Sequence, residues 1–109
     1  MAMDMFYALA EPRRRKIIEI LAIGGQMSAT QIYNKFDISP QAISQHLKVL
    51  LDAKMLRMQK RAQQHIYEVD AESLLQLEDW VEQTRQQWNK RFDRLDRLLA
   101  TEKKRNAKK

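Results

Sequence analysis

The sequence predicts a mainly α-helical domain with one small β-hairpin, and three observations predict it. Apolar residues return at helical spacing along most of the 109 positions. The chain holds only 2 Gly and 2 Pro, too few to turn a many-stranded β architecture. Strand-like segments occur only around residues 55–69, between two stretches of helical pattern.

The first helical region runs from Met3 to about Ile23 and contains Pro12. A proline there has no N–H to donate and clashes with the preceding turn. A short helix should therefore end near Ala10, and a second should start with Pro12 in its first turn. Ile17, Ile18, Leu21 and Ala22 form its inward side, and Gly24-Gly25 stops it. Ser28 is a good N-cap for a short helix over Ala29–Lys35, with Ile32, Tyr33 and Phe36 as the apolar side. After a turn at Asp37-Ile38, Ser39 caps the next helix and Pro40 takes its first position. That helix runs to about Ala53 and buries Ile43, Leu47, Leu50 and Leu51. Met55–Lys60 and Gln64–Val69 read as strands joined by Arg61-Ala62-Gln63, a turn without Gly or Asn. From Ala71 to about Ala100 the pattern is helical again, a rod of roughly 45 Å at about 1.5 Å per residue. One domain over residues 1–101 is expected, followed by a basic tail, 102–109. The tail has no large apolar side chain to bury and should be disordered.

An apolar content of 44% supports a real core in one compact domain. The absence of Cys excludes a disulfide scaffold and any site built on thiolate. No apolar run approaches the ~18 residues of a membrane span, and no basic-then-apolar leader is present, so a cytoplasmic protein is expected. The net charge of +6 is unevenly spread. Between residues 35 and 67, Lys35, Lys48, Lys54, Arg57, Lys60 and Arg61 face only Asp37 and Asp52, whereas residues 68–101 carry more acids than bases. A basic middle segment suits a polyanionic partner; a solvated charged surface is the alternative.

Two short helices joined by a few residues and followed by a hairpin describe a winged helix-turn-helix. In the helix from Ser39 to Ala53, Gln41, Ser44, Gln45 and Lys48 form one stripe roughly opposite the buried row. Gln can pair with the N6/N7 edge of adenine, Ser can donate or accept, and Lys can reach guanine acceptors or phosphate. These four are the expected base readers. The N-terminal end of the helix is uncharged and can offer its free N–H groups to phosphate. Arg57, Lys60 and Arg61 on the hairpin, with Gln63 and Gln64 at its tip, suit flanking phosphates. The expected backbone contacts are Ser28, Thr30, Ser39, His46, Arg57, Lys60, Arg61, Gln64 and Tyr67. The competing reading is an ordinary solvated helix face and a hairpin charged for solubility.

The stretch Ile38-Ser-Pro-Gln-Ala-Ile-Ser-Gln-His-Leu-Lys-Val-Leu50 is similar to the recognition-helix pattern of the ArsR/SmtB family of bacterial winged-helix repressors. Ala8-Leu-Ala-Glu-Pro-Arg-Arg-Arg15 resembles the family's first-helix signature, and His65-Ile66-Tyr67 its second wing strand. The resemblance runs from about Ala8 to Leu99. It implies a homodimer that binds a partly palindromic double-stranded DNA operator and blocks transcription, often of its own operon. Ser44, His46 and Lys48 would then lie at the DNA, with Gln41 and Gln45 as base readers. Pro40-Gln41 reverses the family's usual Gln-Pro order. Metal-responsive members carry Cys-x-Cys where Ser28-Ala29-Thr30 stands here, and others use His on the last helix, where no His follows His65. Zinc and soft metals need thiolate or imidazole ligands, so no metal and no cofactor are expected. The long last helix with Trp80 and Trp88 resembles the subgroup without known metal sites.

On that helix Leu74, Leu77, Val81, Thr84, Trp88, Phe92, Leu95 and Leu99 alternate by three and four, close to a heptad seam, with Trp80 at its flank. A rod longer than the small domain cannot cover this stripe within one subunit, whereas a two-fold partner offers the same stripe in return. The alternative is a helix folded back on its own core. Trp80 and Trp88 read as packing residues; a hydrophobic effector pocket beside them is the other reading, and no effector is identified. The functional expectation is a dimeric (auto)repressor. A winged-helix protein–protein adaptor and nonspecific nucleic-acid coating by tail and wing are the rivals. Catalysis is not expected, because there is no Gly-rich phosphate loop and no His set beside a nucleophile with a supporting acid.

Overall fold

The computed structural model describes residues 4–107, apart from the side chains of Lys90, Phe92 and residues 104–107. The break at Pro12 falls where proline chemistry requires it. Helix α1 (Met5–Leu9) is capped by Asp4, and helix α2 (Pro12–Gly24) opens with Pro12 after its cap Glu11, whose Oε2 accepts the Arg14 amide at 3.1 Å. Gly25 ends α2 at φ 83, and its N–H donates to the Leu21 carbonyl at 2.8 Å. A residue with a β-carbon would be strained there.

Ser28 plays two parts. With Met27 it forms a short strand, β1 (Met27–Ser28), and it caps α3 (Ala29–Tyr33) through a reciprocal box. Its Oγ accepts the Gln31 amide at 3.2 Å, and the Gln31 Oε1 accepts the Ser28 amide at 2.8 Å. Helix α3 stops at Tyr33 rather than Lys35, because the Lys35 and Phe36 amides already bond three residues back, to Ile32 and Tyr33. Helix α4 (Pro40–Asp52) starts as expected, with the Ser39 Oγ accepting the Ala42 amide at 3.1 Å. Its end is a Schellman motif built without glycine. Lys54 takes φ 62, its amide bonds the Leu51 carbonyl, and the Met55 amide bonds the Leu50 carbonyl.

Strands β2 (Leu56–Arg61) and β3 (Gln64–Val69) form the hairpin in antiparallel register, Arg61 opposite Gln64. The turn is therefore the two residues Ala62-Gln63 rather than three, with Ala62 at φ 53. The sheet has three strands in the order β1-β3-β2. The third strand, β1, is too short to show alternation in sequence.

Contacts divide the chain into two compact units, Met1–Leu74 and Leu75–Lys109. The first holds the core: Ile17 and Leu21 of α2, Ile32 of α3, Ile43, Leu47 and Leu50 of α4, with Met55, Leu56 and Tyr67. Its last residues begin α5 (Ala71–Ala107), where the Asp70 Oδ1 accepts the Glu72 and Ser73 amides and the Ser73 hydroxyl donates to the Lys54 carbonyl. The second unit is the remainder of α5. The helix, 37 residues long, continues to Ala107, so residues 102–107 are helical where the tail was expected to be disordered. Glu, Lys, Arg and Ala favour helix, and no Gly or Pro follows Pro40 to stop it. Lys108 and Lys109 lie outside the described residues. Among the described residues no helix is long and apolar enough to cross a membrane.

Candidate nucleic-acid interface

The polar face of α4 is open. Gln41, Ser44, Gln45 and Lys48 are all exposed, while Ile43, Leu47 and Leu50 are in the core. Ser44 is joined to the preceding helix by a hydrogen bond of 2.9 Å between its Oγ and the Tyr33 hydroxyl. The start of α3 meets the wing: Ser28, Ala29, Thr30, Gln63, Gln64 and His65 line a cleft of about 190 Å³. Helix α3 thus meets α4 at its end and the hairpin tip at its start. Ser39, Lys60, Arg61 and Gln64 are exposed, as is Thr30. Lys60 and Arg61 have no ion-pair partner among the described residues, whereas Arg57 sits 3.4 Å from Glu68 across the strands.

Three expected backbone contacts lie elsewhere. Tyr67 is only 7% exposed and belongs to the core, where burial and then the neighbouring Tyr33 push its hydroxyl above the ordinary value of 10.0. Ser28 is buried, and its hydroxyl serves the cap of α3. His46 turns away from the exposed stripe toward the junction of α1 and α2, its Nδ1 3.3 Å from Arg14 Nη1 and its Nε2 3.9 Å from Glu11 Oε2. Burial holds His46 below the ordinary imidazole value of 6.5, with Arg14 and Arg13 acting in the same direction against Glu11. For Tyr67 and His46 the side-chain direction follows from tertiary packing, which residue type alone does not carry; for Ser28 it follows from the cap.

Sequence reasoning missed Arg14 and His65. Arg14 is buried, with Nε donating to the Ala8 carbonyl at 2.7 Å and Nη2 to the Tyr7 carbonyl at 3.2 Å. The run Arg13-Arg14-Arg15 was the available signal, but nothing in it tells the buried arginine from its exposed neighbours. His65 was legible only as part of the wing-strand stretch His65-Ile66-Tyr67, with no role of its own. Among the described residues no group of three or more His, Asp or Glu is placed to hold a metal ion.

On α5, Val81, Leu95 and Leu99 are 50%, 49% and 52% exposed, and Leu77 and Thr84 are half-buried. Leu74 belongs to the first unit and packs against its core. Trp80 and Trp88, with Val81, Thr84 and Arg85, line a surface groove of about 410 Å³, and Arg91 lies 5.1 Å from the centre of the Trp88 ring. The Phe92 side chain lies outside the described residues.

Residues 9–59 match the helix-turn-helix domain family. The chain is 33% identical over 78 residues to the transcriptional repressor SdpR of Bacillus subtilis (strain 168), a match covering 72% of this chain and 86% of that protein. A solved structure described as a possible transcriptional regulator for arsenical resistance is 33% identical, with a TM-score of 0.69, covering 89% of this chain and 94% of the other. An ArsR-like transcriptional regulator from Rhodococcus sp. RHA1 shares the fold at a TM-score of 0.74 and 22% identity, covering 88% of this chain and 87% of that one. Together with an open polar helix, a basic hairpin and a helix-turn-helix core, these likenesses place the chain in the ArsR family of winged helix-turn-helix regulators, as a DNA-binding transcriptional repressor.

Proposed function

We propose that the protein works as a cytoplasmic homodimer on a partly palindromic operator, with two copies of α4 in successive major grooves about 34–36 Å apart. The observation that carries this reading is the open face of α4, tied through Tyr33–Ser44 to α3 and followed along the cleft to the wing. Gln41 and Gln45 read base edges by paired hydrogen bonds, Lys48 reaches a guanine edge or a phosphate, and Ser44 supplies one hydroxyl. Thr30, Ser39, Lys60, Arg61 and Gln64 hold the phosphate backbone. Arg57 joins them when phosphate replaces Glu68. The apolar stripe of α5 supports the dimer, because each large side chain buried against a second copy contributes roughly 1.5–3 kcal/mol. Operator occupancy blocks RNA polymerase, and the protein performs no catalysis.

The test is a band shift on the inverted repeat nearest the protein's own promoter, against random duplex at rising salt. The specific fragment should outcompete random duplex at every salt concentration, and truncation at Thr101 should leave that preference intact. Equal competition by random duplex would overturn the reading in favour of nonspecific coating or a protein adaptor.

A further inference from the structure

The inner side of α4 is held by a cluster that the DNA-reading face does not use. Arg14 reaches three elements at once. Its Nε and Nη2 take the Ala8 and Tyr7 carbonyls at the end of α1, and its Cζ lies 5.3 Å from the centre of the Tyr7 ring. Its Nη1 donates to His46 Nδ1 on α4 at 3.3 Å. An arginine has no lone pair to offer, so His46 Nδ1 must be the acceptor. The imidazole is then neutral, with its proton on Nε2, the nitrogen that faces Glu11 Oε2 at 3.9 Å. Glu11 is in turn 3.6 Å from Arg13 and receives the Arg14 amide.

The arrangement accepts only one protonation state. An imidazolium carries N–H on both nitrogens, and no flip of the ring restores an acceptor to Arg14. Protonation sets two donors and two positive charges against each other at the contact between α2 and α4. Glu11 remains as the one compensating charge, already shared with Arg13. The groups facing the ring are Arg14 and Arg13 of α2, Glu11 at its cap, and, through Arg14, Tyr7 of α1.

We propose that Arg14, His46 and Glu11 form the positioning unit that seats the recognition helix, and that it holds only while His46 is neutral, so that operator affinity falls in mild acid. His46 adjoins Gln45 in the chain, and a ring driven off Arg14 displaces the turn of α4 that carries Gln45. Burial beside two arginines keeps His46 below its ordinary value, which places the transition on the acid side of neutrality.

The inference rests on α4 as the reading helix, and the experiment separates the two. Operator affinity is measured by fluorescence anisotropy at constant ionic strength, at about pH 7.5 and about pH 5.5, for wild type, His46→Gln and Gln45→Ala. Gln can accept from Arg14 and donate toward Glu11 without titrating. Wild type should lose about tenfold between the two pH values, the loss of one charge-assisted hydrogen bond. His46→Gln should change by no more than about twofold. Equal ratios for wild type and His46→Gln, with Gln45→Ala losing sequence preference, would sink the positioning unit alone. A Gln45→Ala protein that keeps its preference would sink the reading of α4. Should His46→Gln not fold, NMR on wild type decides. The α4 amide shifts must follow the His46 ring titration, and α4 amides that stay still while the ring titrates overturn the proposal.

Discussion

Lys54 holds φ 62 at the end of α4 although glycine is the residue suited to that corner. The left-handed conformation costs a β-carbon-bearing residue about 1–2 kcal/mol, partly offset by the greater chain entropy glycine loses on folding. Lys54→Gly should therefore raise stability by about 0.5–1 kcal/mol in urea unfolding, with the Ser73-to-Lys54 carbonyl bond retained. His46 sets a pH dependence of stability. Its folded value lies below 6.5, so between the two values the unfolded chain binds more protons. Stability is full above about pH 6.5 and is lost as pH falls through the folded value. Glu11, held below 4.5 by the Arg14 and Arg13 amides and by His46 and Arg13 against burial, adds a second loss in stronger acid. Urea midpoints from pH 8 to pH 5 should fall for wild type and stay flatter for His46→Gln. At this scale the sequence shows its punctuation clearly. Pro12, Ser28, Ser39 and Pro40 act through local backbone chemistry, and each stands where that chemistry predicts. Tyr67 and His46 have their side chains directed by residues far along the chain, so their buried placement was not legible, whereas the Ser28 hydroxyl is taken by the cap its sequence announces.

Among the elements, the proposed reading gives α4 and the wing separable duties. Gln45→Ala should cost roughly 1–3 kcal/mol of discrimination at one base pair of the operator, read as relaxed preference in competition binding. Lys60→Ala should weaken specific and random duplex about equally and lower the salt slope by about 1. Helix α3 has only five residues, too few for stability on its own, so its capping box and Ile32 anchor carry it. The segments that form β2 and β3 were visible as strands in sequence, but β1 was not. Two extended residues before a cap look like any loop until β3 lies alongside them. The turn was misjudged by one residue, because an alanine with positive φ at position 62 has no sequence signature.

For the whole molecule, the order of elements other than β1 was legible from punctuation and periodicity. The end of α5 was not, since a charged, alanine-containing stretch suits both helix and disorder. The stripe on α5 predicts assembly. Leu95→Glu should give a monomer in sedimentation at micromolar protein, with the circular dichroism of residues 1–74 preserved, because its side chain is half-exposed in one chain. The same variant should bind a full palindrome with little advantage over a half-site, and wild type should gain from joining two reading helices on one duplex.

In the Tyr33–Ser44 hydrogen bond either hydroxyl can be the donor. When the phenol donates, the serine offers its hydrogen to a purine N7 or O6; when the serine donates, its lone pair welcomes an exocyclic amine. On the proposed reading, in which α4 faces the bases, that interchange makes the base pair opposite Ser44 an ambiguous letter. In ligands enriched from random oligonucleotides, this position should stay degenerate while those facing Gln41 and Gln45 converge on adenine.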